Sequence, residues 1–96
     1  MKKVFKYQFE LRDRFELTLP SGAEFLHADT QDNTYLQSIW ALVDPSHEDA
    51  EYKFLLCGTG HEIKHEEGFS LSHISTWKDG PCIWHLFQLI EIPFQT

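Results

Sequence analysis

Tyr52 to Ile63 reads YKFLLCGTGHEI. Tyr52–Cys57 is apolar and only a few residues long, which suits a strand better than a helix. Gly58-Thr59-Gly60 then breaks the run, because glycine tolerates backbone angles that end a strand. His61 to Gly68 is polar apart from Ile63 and reads as an exposed loop. A short apolar strand, a glycine break and a wet loop is the pattern of an antiparallel β protein. The rest of the chain repeats it.

Upstream, Phe5, Tyr7, Phe9 and Leu11 alternate with Lys6, Gln8, Glu10 and Arg12. After Asp13, Phe15, Leu17 and Leu19 alternate with Arg14, Glu16 and Thr18. A period of two marks a half-buried strand, and the two runs read together as a β-hairpin with one wet face. Pro20-Ser21-Gly22 supplies the turn that ends it. Ala23 to Thr30 is a weaker strand, closed by the polar turn 31–34. In the next run, Tyr35 to Val43, the segment Ile39-Trp40-Ala41-Leu42-Val43 is apolar on both parities. That predicts a strand buried on both faces. Asp44-Pro45 stops it, since proline has no N–H to give a ladder.

Ser46 to Glu51 is a charged loop, Phe69 to Trp77 a ragged strand, and Lys78-Asp79-Gly80-Pro81 a strong turn signal. Cys82 to Ile92 is a long, nearly continuous apolar strand. Seven strands with turns between them predict an all-β fold, a small antiparallel β-sandwich or barrel. At most one short helix fits, in Ser46–Glu51 or His61–Glu67. The expected core is Phe5, Tyr7, Phe9, Phe15, Leu17, Phe25, Ile39, Trp40, Leu42, Phe54, Leu56, Ile83, Trp84, Leu86 and Phe87.

Ninety-six residues make one domain with one core, and 42% apolar and 15% aromatic residues suffice to fold it. A domain of this size buries only ~60% of its unfolded surface, so a homodimer would add stability. The net charge of -7 repels phosphate backbones and anionic membranes, which argues against nucleic-acid and membrane-surface binding. MKKVFKYQFE lacks the apolar stretch of a signal peptide, and no run is long enough to span a bilayer. Cys57 and Cys82 each lie within an apolar run and read as small buried hydrophobes in a reducing cytoplasm.

The one cluster with chemical potential is His61, Glu62, His65, Glu66 and Glu67. HEIKH matches the H-E-x-x-H motif by letter, and on a helix its two imidazoles would share one face at metal-ligand spacing. However, Gly60 and Gly68 leave less than two helical turns between them, so a solvated loop is the simpler reading. Gly58-Thr59-Gly60 lacks the Lys-Ser/Thr of a Walker loop and the third glycine of a dinucleotide fold. His85, between Trp84 and Leu86, reads as a hydrogen-bonded core or barrel-lining histidine rather than a ligand. Trp40, Trp77 and Trp84 read as core, and an exposed tryptophan would instead mark a binding face. No Ser-His-Asp grouping can be assembled, and no cofactor is implied.

KVFKY, LPSGAEFL, IWALVDP, FLLCGTGHEI and WHLF, in that order, resemble the pattern of a family of small bacteriophage and prophage proteins of unknown function. The resemblance spans nearly the whole chain, with Gln88 to Thr96 as an added tail. It implies a β-rich protein of the host-cell cytoplasm and supplies no catalytic residues. On this reading the chain binds and modulates a host or phage protein without catalysis. The alternatives are a virion or assembly component, and a metal-dependent enzyme using His61 and His65. Loops on a rigid scaffold carry binding more often than strands do. The expected binding residues are therefore His61, Glu62, His65 and Glu66, with His61 either a partner anchor or a cap hydrogen-bonded to the backbone after Gly60.

Overall fold

The computed structural model describes residues 1–31, 35–64 and 66–93. Seven strands follow in order: β1 (Lys3–Glu10), β2 (Arg14–Pro20), β3 (Glu24–Asp29), β4 (Leu36–Val43), β5 (Asp49–Gly58), β6 (Phe69–Asp79) and β7 (Cys82–Glu91). There is no helix among the described residues. Two antiparallel sheets, ordered β1-β4-β3 and β2-β5-β7-β6, pack as a sandwich. Ser46–Glu51 forms no helix either. Ser46 donates from its N–H and its hydroxyl to Asp44 Oδ1 at 3.0 and 2.6 Å, and β5 begins soon after.

The expected β1–β2 hairpin does not form. β1 pairs with β4 and β2 with β5, so the two runs lie in different sheets. Their apolar faces meet across the sandwich, where the rings of Phe9 and Phe15 stack with centroids 4.6 Å apart. A period of two records that one face is buried, and it is the same whether a strand's neighbour lies beside it or opposite it.

The core is aromatic. Phe15 stacks on Phe54 at 5.1 Å, and Phe25 meets Phe54 edge-on at 5.0 Å. Ile39, Ala28, Leu56, Leu86 and Trp77 close around them, and Leu19, Ala41 and Val43 form a second cluster. Gln37 is fully buried because its groups have partners: its Oε1 accepts from Trp77 Nε1 at 2.9 Å and from the Thr30 hydroxyl. Such pairing is what makes a polar side chain tolerable in a core.

Five expected core residues lie elsewhere. Phe5 and Ile83 are 39% and 44% exposed, being near strand ends that the other sheet does not cover. Trp40 and Leu42 project from the outer face of the β1-β4-β3 sheet and are half-buried. Phe87, expected inside, is half-buried beside outward His73. Cys82, expected to be buried, is exposed at the start of β7; Cys57 is half-buried, and both are free thiols. Among the described residues no helix is long and apolar enough to cross a membrane.

Candidate binding cleft

β2 and β5 pair only from Pro20–Asp49 to Arg14–Leu55, whereas β5 continues to Gly58. The chain thus leaves a stretch of β5 edge without a strand beside it. Leu56 N–H is met by Asp13 O at 2.9 Å, and beyond that point the chain turns. Gly60 takes φ 85°, a left-handed conformation that favours glycine, and lets His61 N–H donate to Gly58 O at 3.0 Å. The ring of His61 then packs on the Gly58 backbone: a Cβ on Gly58 would lie 2.9 Å from its Nδ1 and Cε1.

The far side of this segment returns to β2. Arg14 Nε donates to Glu66 Oε2 at 3.0 Å and Arg14 Nη2 to Glu66 Oε1 at 3.2 Å, a two-pronged pair that fixes orientation as well as distance. Gly68, at φ 86°, leads into β6, and its carbonyl accepts from Ile92 N–H at 2.8 Å. The pair shows in both partners' titration: Glu66 holds the Arg14 guanidinium in its charged form, and Arg14 lowers the Glu66 carboxyl below its ordinary value.

Between clamp and edge lies a cleft of about 480 Å³, lined by Arg14, Leu55, His61, Glu62, Ile63 and Trp84 among others. A smaller one of about 280 Å³ opens beside it and shares Gly58, His61 and Trp84. His61 therefore stands at the boundary of the two. Trp84 Nε1–H is buried with no acceptor among the described residues. Burial alone raises the Cys57 thiol, so the cysteine lining the cleft stays protonated at neutral pH.

Three of the four expected site residues come together here. His61 and Glu62 are exposed on the cleft wall, and Glu66 is beside them with its carboxylate committed to Arg14. His65 lies outside the described residues. Residues 61–64 are irregular, so the helical face that would pair two imidazoles does not form over them. Among the described residues no group of three or more His, Cys, Asp or Glu is arranged to hold a metal ion. The cap expected of His61 also takes a different form: its backbone N–H closes the turn while its ring covers Gly58.

Arg14 and Trp84 were not expected at the site. Arg14 is an ordinary outward position of an alternating strand, and nothing local ties it to a residue 52 positions away. The same holds for a second polar feature, on the outer face of the four-stranded sheet. His73 Nε2 lies 2.8 Å from Thr76 Oγ1, Thr76 Oγ1 lies 2.9 Å from His85 Nδ1, and His85 Nε2 lies 2.6 Å from Thr59 Oγ1. Both ring nitrogens of His85 are thus taken up by hydroxyls, as expected of a hydrogen-bonded histidine, but the residue lies on the outer face of the sheet and not in the core or a barrel lining.

Comparison with curated proteins and with solved structures gave no match. A family model described as Domain of unknown function (DUF7352) matches residues 1–93. The match runs through Gln88 to Pro93, and β7 extends to Glu91, so most of the supposed tail is part of the family's pattern and of the sheet. The chain belongs to the DUF7352 family of domains of unknown function.

Proposed function

We propose that the protein is a small binding module encoded by a bacteriophage or prophage. On this reading it works in the host cytoplasm and engages a host or phage protein through the cleft beside His61, without catalysis. The observation that carries the reading is the two-pronged Arg14–Glu66 pair, which holds the segment leaving β5 over an open strand edge. A segment already held in place loses less conformational freedom when a partner arrives. The wall it presents suits a polypeptide. Ile63, 40% exposed, offers apolar contact, and His61, Glu62 and Lys64 a polar rim. The phage origin rests on the sequence resemblance.

The test is affinity capture from host lysate with the wild-type protein and with His61→Ala and Glu62→Lys, each checked by thermal melting. One defined protein lost from both variants, with the midpoint unchanged, supports the reading. Equal capture by all three would refute it. Abundance in purified particles would instead favour the assembly role.

A further inference from the structure

We infer that Asp44 and His47 form a binding site for a divalent transition-metal ion of the zinc type, at the opposite end of β5 from the cleft. Asp44 follows β4 directly, and His47 lies just before β5. Pro45 stops β4, and the chain turns tightly, with His47 N–H donating to Asp44 O at 3.0 Å. The turn brings the imidazole back to the carboxylate, so that His47 Nε2 lies 3.5 Å from Asp44 Oδ2. Each group is oriented through its other polar atom. His47 Nδ1 lies 2.8 Å from the carbonyl oxygen of Ser21. A carbonyl only accepts, so that nitrogen carries the hydrogen, and Nε2 of the neutral ring is a bare lone pair. The ring also packs on the β2–β3 turn, where a Cβ on Gly22 would lie 3.7 Å from Nδ1. Asp44 Oδ1 accepts from the Ser46 N–H and hydroxyl at 3.0 and 2.6 Å, which leaves Oδ2 to face the ring.

Two acceptors therefore face each other with no hydrogen between them when the ring is neutral. A histidine whose second nitrogen donates to a backbone carbonyl is the arrangement found around bound metals, where it fixes tautomer and ring orientation. At 3.5 Å the pair is too far apart for a good hydrogen bond. It matches the ~3.4 Å between two ligands of one tetrahedral zinc, each at ~2.1 Å from the ion. The strand register extends the site toward β1. Lys3 pairs with Val43, which sets Met1 beside Asp44, and the Met1 nitrogen lies 3.4 Å from the same Oδ2. Where Met1 carries a free amine, that nitrogen adds a third ligand once it gives up its proton; the imidazole–carboxylate pair stands without it. Imidazole nitrogen with carboxylate oxygen suits zinc, nickel or copper, whereas magnesium and calcium ask for oxygen ligands throughout. His47 is 49% exposed, so the remaining coordination positions open to water.

Calorimetric titration of the metal-free chain with Zn²⁺ tests the site. Wild type should take up one ion saturably and no Mg²⁺, and its thermal midpoint should rise with Zn²⁺ concentration. His47→Gln keeps an amide donor for the Ser21 carbonyl, so it should melt near wild type without metal and yet lose the uptake. Asp44→Asn should lose it as well, while His61→Ala, in the cleft, should keep it. Ser46→Ala frees the carboxylate to rotate and should weaken binding about tenfold. In ring ¹⁵N spectra His47 should carry its hydrogen on Nδ1 without metal, and its Nε2 resonance should move when Zn²⁺ is added, which a purely structural histidine would not show. A short extension ahead of Met1 should weaken binding without abolishing it. Absence of saturable Zn²⁺ uptake, uptake unchanged in His47→Gln, equal uptake of Mg²⁺, a hydrogen on Nε2 in place of Nδ1, or abolition by the extension would each overturn the proposal.

Discussion

Replacing Gly58 with alanine tests the seat of His61, and the effect can be worked from the structure. Gly58 does not occupy the positive-φ region, so an L side chain fits its backbone. At such a position Gly→Ala stabilises by ~0.4–1 kcal/mol, because the unfolded chain loses freedom. The new Cβ, however, would lie 2.9 Å from two ring atoms of His61. Ordinary carbon contacts are at ~3.5–4.0 Å, so the ring must leave. His61 is an exposed side chain on a loop, so it can swing away, giving up about 1 kcal/mol or less of contact. The two terms nearly cancel, and Gly58→Ala alone should be close to neutral in urea denaturation. In a His61→Ala background nothing opposes the Cβ, and the same change should stabilise by ~0.4–1 kcal/mol. The double-mutant cycle therefore predicts a coupling of roughly 0.5–1 kcal/mol between the two positions. Partner capture should fall in Gly58→Ala as it does in His61→Ala, with stability held. If Gly58→Ala changed stability equally in both backgrounds, His61 would not rest on Gly58 in solution and the described cleft would be wrong.

Other outcomes follow from burial and charge. Trp77 is 5% exposed and donates to buried Gln37, whereas Trp40 faces outward; Trp77→Ala should cost ~3–5 kcal/mol in chemical denaturation and Trp40→Ala clearly less. Hydrogen bonds from Ser46, and then the N-terminal ammonium, lower the Asp44 carboxyl to about 2. A lowered acid stabilises above its unfolded value and loses that contribution as pH falls through the folded one. A melting series should therefore show wild type losing more than Asp44→Asn between roughly pH 4 and pH 2. In timed alkylation at mildly alkaline pH, Cys82 should react ahead of Cys57, because Cys82 is exposed and burial keeps the Cys57 thiol protonated. Equal rates would show that the cleft edge opens more freely than the structure implies.

The strands were legible because burial on one face writes a period of two, and because prolines and glycines mark the ends. Phe15, Leu17 and Leu19 give β2 as clearly as Tyr7 and Phe9 give β1. Partner choice was not legible. The alternation in β1 says only that Tyr7 and Phe9 are covered, and Leu11-Arg12-Asp13 serves as well for a crossing between sheets as for a tight turn. The stack of Phe9 on Phe15 decides the matter, and it is a contact across the sandwich that no local pattern encodes. For β4, apolar residues on both parities correctly signalled a strand and wrongly implied that both its faces are covered. Trp40 and Leu42 follow the pattern of a buried strand, but this chain supplies a second sheet for one side alone.

The site divides along the same line. Gly58-Thr59-Gly60 and the polar run after it could be recognised as a loop, since glycine content and charge are local properties. What gives the loop a form could not. Arg14 and Glu66 are 52 residues apart, and each alone reads as a solvated charge. Their pairing depends on β2 stopping at Arg14 while β5 runs on to Gly58, which brings a guanidinium to the margin of an open strand edge. An ion pair whose side chains are each about a third exposed is worth little as stability, so its consequence is geometric. It fixes where His61, Glu62 and Ile63 sit against the sheet. That is why a segment whose letters suggested a helical metal motif is better understood as one wall of a cleft. HEIKH shares its letters with a zinc helix, but the glycines on both sides and the clamp at Glu66 direct residues 61–64 along a strand edge instead.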